Sequence, residues 1–179
     1  MVLYPEALIR YYRYFHIDRD YFECHEVLEE YWKEHPDDPN KEAYVTLIQV
    51  AVASYHERRG NKAGAVKMFR SALSRLQTAN LGPLGLDTEA LKQLLESRLE
   101  GLTSIGIQAA TEAFQDLNLP LVDDALLRQC QLHLDDIARW GRSSDHSDSY
   151  LLNKHTLRDR SEVIEERQRQ QQIRQSGRG

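Results

Sequence analysis

Tyr44 to Arg59 reads YVTLIQVAVASYHERR. At about 100° per residue, Tyr44, Val45, Leu47, Ile48, Val50, Ala51, Val52, Ala53 and Tyr55 cover most of the helical wheel. A helix that is apolar nearly all round is buried by its neighbours, and one this short and interrupted does not span a membrane. Gln49 and His56 break the apolar surface two turns apart, on nearly the same face. The stretch predicts a central helix wrapped by others, with a polar spot inside, and an all-α fold.

The flanking sequence supplies the wrapping helices. Pro5 suits a first helical turn, and Leu8, Tyr11, Tyr12 and Phe15 follow at amphipathic spacing, predicting a helix over 5–16. His16-Ile17-Asp18-Arg19 reads as a turn. Asp20 with Glu23 three residues on is an Asp variant of the capping box, opening a helix over Tyr21–Glu34. Its predicted buried face holds Tyr21, Cys24, Leu28, Tyr31 and Trp32. HPDDPN over 35–40 is a loop. After the central helix, Gly60 suits a C′ position and Asn61 an N-cap. Helices over 62–78 and 88–101 follow, the first burying Ala65, Phe69, Ala72 and Leu76, the second Leu91, Leu94, Leu95, Leu99 and Leu102. Residues 103–121 read as a broken helix and an irregular stretch, and Asp123 or Asp124 starts a further helix toward His133. No segment alternates with a period of two, as a strand would.

The expected architecture is a compact antiparallel helical bundle over 1–140 with a polar C-terminal extension over 141–179. GRSSDHSDS from Gly141 has linker composition, and the last stretch has too few apolar residues to bury a face of its own. The 179 residues suffice for one core. Net charge is −5, with 4 basic against 10 acidic side chains over 78–140, which argues against non-specific nucleic-acid binding. Two distant cysteines, Cys24 and Cys130, with no ligand spacing, suit a reducing compartment. The start of the chain has no secretory pattern, so the expectation is a cytoplasmic protein without membrane association.

The residues that carry chemistry cluster in His25-Glu26-Val27-Leu28-Glu29. Positions i and i+4 of a helix share a face, so His25 and Glu29 aim at one point. Imidazole and carboxylate at that spacing are a metal-binding pair, although HExxH would have a histidine where Glu29 stands. His56 on the central helix is the candidate third ligand, Glu26 the candidate general base, and Gln49 a group to orient water or substrate. A non-chemical reading stands beside it: these side chains form a hydrogen-bonded network that sets the register of two helices. Arg58 and Arg59 have two readings as well, pairing with the acidic loop at 37–38 or contacting an anion near His25. Residues 54–76 resemble the turn and second helix of a tetratricopeptide repeat, without a second copy along the chain.

Two stretches together, YFECHEVLEEYW over 21–32 and LIQVAVASYHERRGNKAGAVKMFRSALSRL over 47–76, resemble the bacterial family catalogued as domain of unknown function 309. The resemblance spans about residues 10–78 and rests on His25, Glu26, Glu29, Trp32, Gln49, His56, Arg59-Gly60-Asn61 and Gly64-Ala65. It implies a small all-α bundle. It also carries the label of predicted metal-dependent hydrolase, hence a divalent metal ion as cofactor. Two functions remain in view: metal-assisted hydrolysis of an unidentified small molecule, or a non-enzymatic module that binds a protein partner through its tail. A homodimer formed through an exposed apolar stripe is compatible with both.

Overall fold

The computed structural model describes residues 4–104 and 113–157. The fold is all-α. Among the described residues the helices are α1 (Glu6–Arg13), α2 (Tyr21–Glu34), α3 (Lys41–Arg58), α4 (Lys62–Arg75), α5 (Thr88–Thr103), α6 (Asp124–Cys130), α7 (Leu134–Arg139) and α8 (Ser149–Leu157). A π-helical turn, Tyr14–Asp18, follows α1. The only extended pairing among them is a single antiparallel bridge between Leu86 and Leu121. No helix among the described residues is long and apolar enough to cross a membrane.

α3 is the centre, packed between α2 and α4. Its Ala43, Tyr44, Leu47, Val50, Ala51, Ala53 and Tyr55 join the core. The polar side chains it buries completely are not the expected ones. Thr46 and Ser54 are inside, each hydroxyl donating to the carbonyl four residues back, Glu42 at 2.8 Å and Val50 at 2.9 Å. Gln49 and His56 instead lie on the stripe of α3 that is only half-buried, with Val45 and Val52. The caps follow the sequence closely. Asp20 accepts from the Glu23 N–H, Asn61 from Gly64 and Asp87 from Ala90, and Gly60 takes the left-handed conformation at φ 78°. Gly64 has a packing reason: a Cβ there would come within 3.0 Å of the His56 ring. On α2, Val27 is buried while Tyr31 and Trp32 are only half-buried.

The chain after residue 113 does not run free. Tyr4 donates to Asp123 at 2.7 Å, and Arg13 holds Asp136 through two bonds of 2.9 and 3.1 Å, which seat α6 and α7 against α1. The linker expected from Gly141 is tied down residue by residue. Gly141 N–H donates to the His16 carbonyl, and Ser144 donates through its N–H and hydroxyl to Asp116. Lys154 on α8 sits between Asp20 (2.6 Å) and Glu23 (2.8 Å). Residues 141–157 are short of apolar side chains, as the composition of the 141–179 extension predicts, but rich in groups that satisfy polar atoms of the bundle. The rest of the polar tail, 158–179, and the centre of the broken stretch, 105–112, lie outside the described residues.

The arginine read as a turn residue is the joint of this arrangement. Arg19 is 2% exposed and left-handed at φ 53°. Its guanidinium donates to the carbonyls of Phe15 (3.0 Å), Leu117 (2.8 Å) and Arg142 (2.7 Å) and to Asn118 Oδ1 (2.7 Å). Arg58, expected at the acidic loop, turns inward instead. It donates to the Arg19 carbonyl at 2.6 Å and to the Leu151 carbonyl at 3.2 Å, with its guanidinium 4.6 Å from the centre of the Tyr21 ring. Arg59 covers the Tyr55 ring. Beside them, burial pushes the Asp116 carboxyl up, but bonds from the Ser144 N–H, Tyr21 and the Ser144 hydroxyl, with Arg19 nearby, outweigh it and hold the group below the usual range.

Replacing Arg19 strands several buried acceptors at once. Arg19→Ala is expected to cost about 3–5 kcal/mol in urea unfolding, and Arg19→Lys more than half of that, because an ammonium lacks the planar fork. A loss within experimental error in Arg19→Ala contradicts the clamp. A second expectation concerns His16, which is buried, stacks on Trp140 at 4.4 Å and finds no partner for either ring nitrogen among the described residues. Burial, with Arg19 adding to it, pushes its pKa down to about 3, against an ordinary 6.5. The unfolded chain therefore takes up this proton first as pH falls, and stability drops below pH 6.5. Between pH 7 and about 4.5 the loss is roughly 2–3 kcal/mol. His16→Phe should flatten that part of the stability–pH curve, and an unchanged slope rules the account out.

Candidate metal centre

α2 forms where it does because Asp20 caps it and Tyr21, Cys24, Val27 and Leu28 dock it on the core. That docking turns His25, Glu26 and Glu29 toward the half-exposed flank. Their side chains are 29%, 34% and 34% exposed. His25 Nδ1 lies 3.0 Å from Glu26 Oε1, and Nε2 lies 3.3 Å from Glu29 Oε2. Lys33, one turn further on, sits 3.0 Å from the other oxygen of Glu29. Phe22 flanks the imidazole, with ring centres 6.3 Å apart, and leans in turn on Tyr55 of α3. One ligand atom from each of His25, Glu26 and Glu29 can be chosen so that all lie within 4.8 Å of one another, and among the described residues this is the one such group of three.

The structure does not bring His56 into that group. The ring pairs Phe22–Tyr55 and Tyr31–Tyr44 set the antiparallel register of α2 and α3. It leaves His56 level with the start of α2, about five residues from His25, or roughly 7 Å along the axis. His56 pairs with Asn61 instead, Nδ1 lying 3.2 Å from the Asn61 amide nitrogen. Asn61 Oδ1 already accepts from the Gly64 N–H. Its amide nitrogen must therefore donate to His56, which assigns Nδ1 as acceptor and puts the proton on Nε2. Burial, then Arg59, lowers the His56 pKa, which favours the neutral ring. Gln49 lies level with Val27 and Leu28 in the same register. Its Oε1 is buried and lacks a partner among the described residues. Reading the sequence also passed over Lys33, although its i+4 spacing from Glu29 is the ordinary signal for an ion pair on a helix.

The donor set fits a divalent cation. An ion with bonds of about 2.1 Å takes one nitrogen of the His25 ring, and because the 3.0 and 3.3 Å contacts use different ring nitrogens, only one of them belongs to such a set, the remaining carboxylate lying within 4.8 Å. One imidazole and two carboxylates suit borderline to hard cations such as zinc, manganese or iron(II). As a purely structural device the cluster is weak. Its members share one helix, so their mutual bonds link no two elements, and pairs this exposed contribute below about 1 kcal/mol.

A family described as a domain of unknown function, DUF309, matches residues 8–68, which span α1 to the middle of α4 and contain His25, Glu26, Glu29, Gln49 and His56. An uncharacterized protein of Bacillus subtilis (strain 168), YpuF, is 40% identical over 179 residues, covering 98% of this chain and 99% of that protein. No solved structure gave a significant match. The chain thus belongs to the DUF309 family.

Proposed function

We propose that this protein is a metal-assisted hydrolase whose divalent cation is held by His25, Glu26 and Glu29. The supporting observation is the convergence of one imidazole and two carboxylates within 4.8 Å on the half-exposed flank of α2. Three protein ligands leave coordination positions open, as catalytic rather than structural sites do. When bound, such a cation supplies Lewis acidity toward water and toward a carbonyl or phosphoryl oxygen. The chain's own groups then have distinct tasks. The carboxylate oxygen of Glu26 not used as a ligand accepts a proton, while that of Glu29 is held by Lys33. Gln49 offers a hydrogen-bond group for orienting substrate, and Lys33 supplies positive charge beside Glu29 for an anionic one. The substrate class is a small ester or phosphoester reached from the solvent side of α2. Two free, buried cysteines support a reducing, cytoplasmic setting.

A second reading has its own observation. Both ring nitrogens of His25 already face carboxylates, and Lys33 extends the row to a ladder of alternating nitrogen and carboxylate groups along α2. Such a face also suits a non-enzymatic protein-interaction module.

Elemental analysis of untagged protein separates the two. The hydrolase reading expects a near-stoichiometric ion that is lost in His25→Ala and Glu29→Gln, with metal affinity lower by roughly 100-fold or more, and kept in His56→Ala. Hydrolysis of ester or phosphomonoester probes should fall with the ion. Metal-free protein with no thermal shift on added zinc, manganese or iron(II) sinks the hydrolase and leaves the interaction module.

A further inference from the structure

Residues 131–141 bridge two fixed points. On one side Cys130 is fully buried at the end of α6. On the other, the Arg142 carbonyl accepts from Arg19 at 2.7 Å. The span between them holds α7, in which Asp136 is the one buried residue. Leu132, Leu134 and Ile137 are exposed, Leu134 by 86%. What keeps the span down on α1 and the π-turn is polar, apart from one ring. Arg13 holds Asp136, Arg139 pairs with Asp18 at 3.0 Å, and the Gly141 N–H donates to the His16 carbonyl at 2.8 Å. The ring is Trp140, stacked on His16 with 3° between the planes. A segment that buries so little apolar surface opens locally, well before the core unfolds. Gly141, left-handed at φ 75°, gives it a backbone joint at the C-terminal end.

Beneath Trp140, His16 is buried, and neither ring nitrogen has a partner among the described residues. A neutral imidazole placed so is costly, and a charged one far more so. Among the described residues the surroundings offer an imidazolium no free counter-charge. Asp18 on the turn is taken by Arg139, and Asp136 of α7 by Arg13 of α1. Arg19, just after the turn, adds a like charge. Tyr12 of α1 gives its hydroxyl to the Leu84 carbonyl. α2 packs on the turn as well. Burial keeps its Tyr21 and Cys24 in their neutral forms, and Lys154 engages its cap Asp20 and Glu23. We infer that residues 131–141 form an acid-released latch, which closes on neutral His16 and lifts when the ring takes up a proton. Lifting Trp140 admits water to both ring nitrogens, and closing again over the imidazolium would bury an unpaired charge. His133, at the start of the latch, works in the opposite sense, because its positive form beside Asp136 favours the closed helix.

Native-state amide exchange on the full chain, normalised for intrinsic rates, reads the latch at Gly141 and the core at Val50. With a ring pKa of 6.5 when open and about 3 when closed, the open fraction rises about 25-fold from pH 7 to pH 5. The Gly141 amide should lose protection by that factor. Its exchange should hardly depend on urea below about 1 M, because opening exposes little surface, whereas Val50 exchange should quicken with urea as global unfolding does. His16→Phe should keep the stack and abolish the acid effect at Gly141, and His16→Leu serves the same purpose if the first variant fails to fold. Arg139→Gln, which removes a half-exposed ion pair, should speed Gly141 exchange by at most about fivefold and leave its pH dependence as it is. A common urea slope and opening free energy at Gly141 and Val50 would mean that no separate latch exists. An acid effect that survives without His16, or Gly141 protection that stays flat across this pH range, equally overturns the inference.

Discussion

A charged guanidinium buried among neutral acceptors governs this fold. Among the described residues Arg19 has no carboxylate in its hydrogen-bond shell, and it meets three carbonyls and one amide oxygen instead. Taking that charge from water is expensive unless every donor is met, so the structure is obliged to bring Leu117, Asn118 and Arg142 to one point. Arg58 continues the obligation by taking the Arg19 carbonyl and reaching Leu151. The irregular stretch and α8 are positioned by these polar demands more than by apolar surface of their own.

The family-like part and the remainder of the chain thus obey different physics. From α2 to α5 the side chains repeat at helical period, the caps are Asp and Asn, and a glycine marks the α3–α4 turn. All of that is local and readable from residue types. α7 and α8 are short and bury no apolar side chain, so apolar periodicity does not place them. Their partners, Arg13 to Asp136 and Lys154 to Asp20, lie more than a hundred residues away in sequence. Arg19 was unreadable for the same reason. A charged residue after a helix is ordinarily a solvated turn, and only the three-dimensional surroundings reveal four buried acceptors. On the site, the i, i+1, i+4 arrangement of His25, Glu26 and Glu29 was legible. The position of His56 depends on the relative register of two helices and on a side-chain pair with Asn61, which residue types alone do not encode.

Burial separates the chemistry of the two polar clusters. The group on α2 is a third exposed, so its mutual attractions are screened and it is free to exchange partners with a cation or a substrate. The Glu57–Arg98 pair, which joins α3 to α5 at 2.8 Å, is mostly buried, and Glu57 Oε2 has no hydrogen-bond partner among the described residues. One cluster is a third exposed, the other mostly withdrawn from solvent. The first lies wholly on α2, and the second joins α3 to α5.

The distance along the chain between Arg19 and Arg142 also has a meaning in time. The helical hairpins from α1 to α5 make near-neighbour contacts and can form early, since short loops close quickly. The Arg19 guanidinium, however, gains its last acceptor only when residue 142 arrives. During synthesis from the N-terminus the first helices therefore exist for a while around a cation whose shell is incomplete. A partly made chain in that condition keeps its π-turn and the start of α2 loose, and the final locking of the bundle is a late, long-range event rather than the end of a steady zipping. Ribosome-bound chains of increasing length would gain protection of the Tyr21 and Cys24 amides in one step, once Arg142 has cleared the exit tunnel.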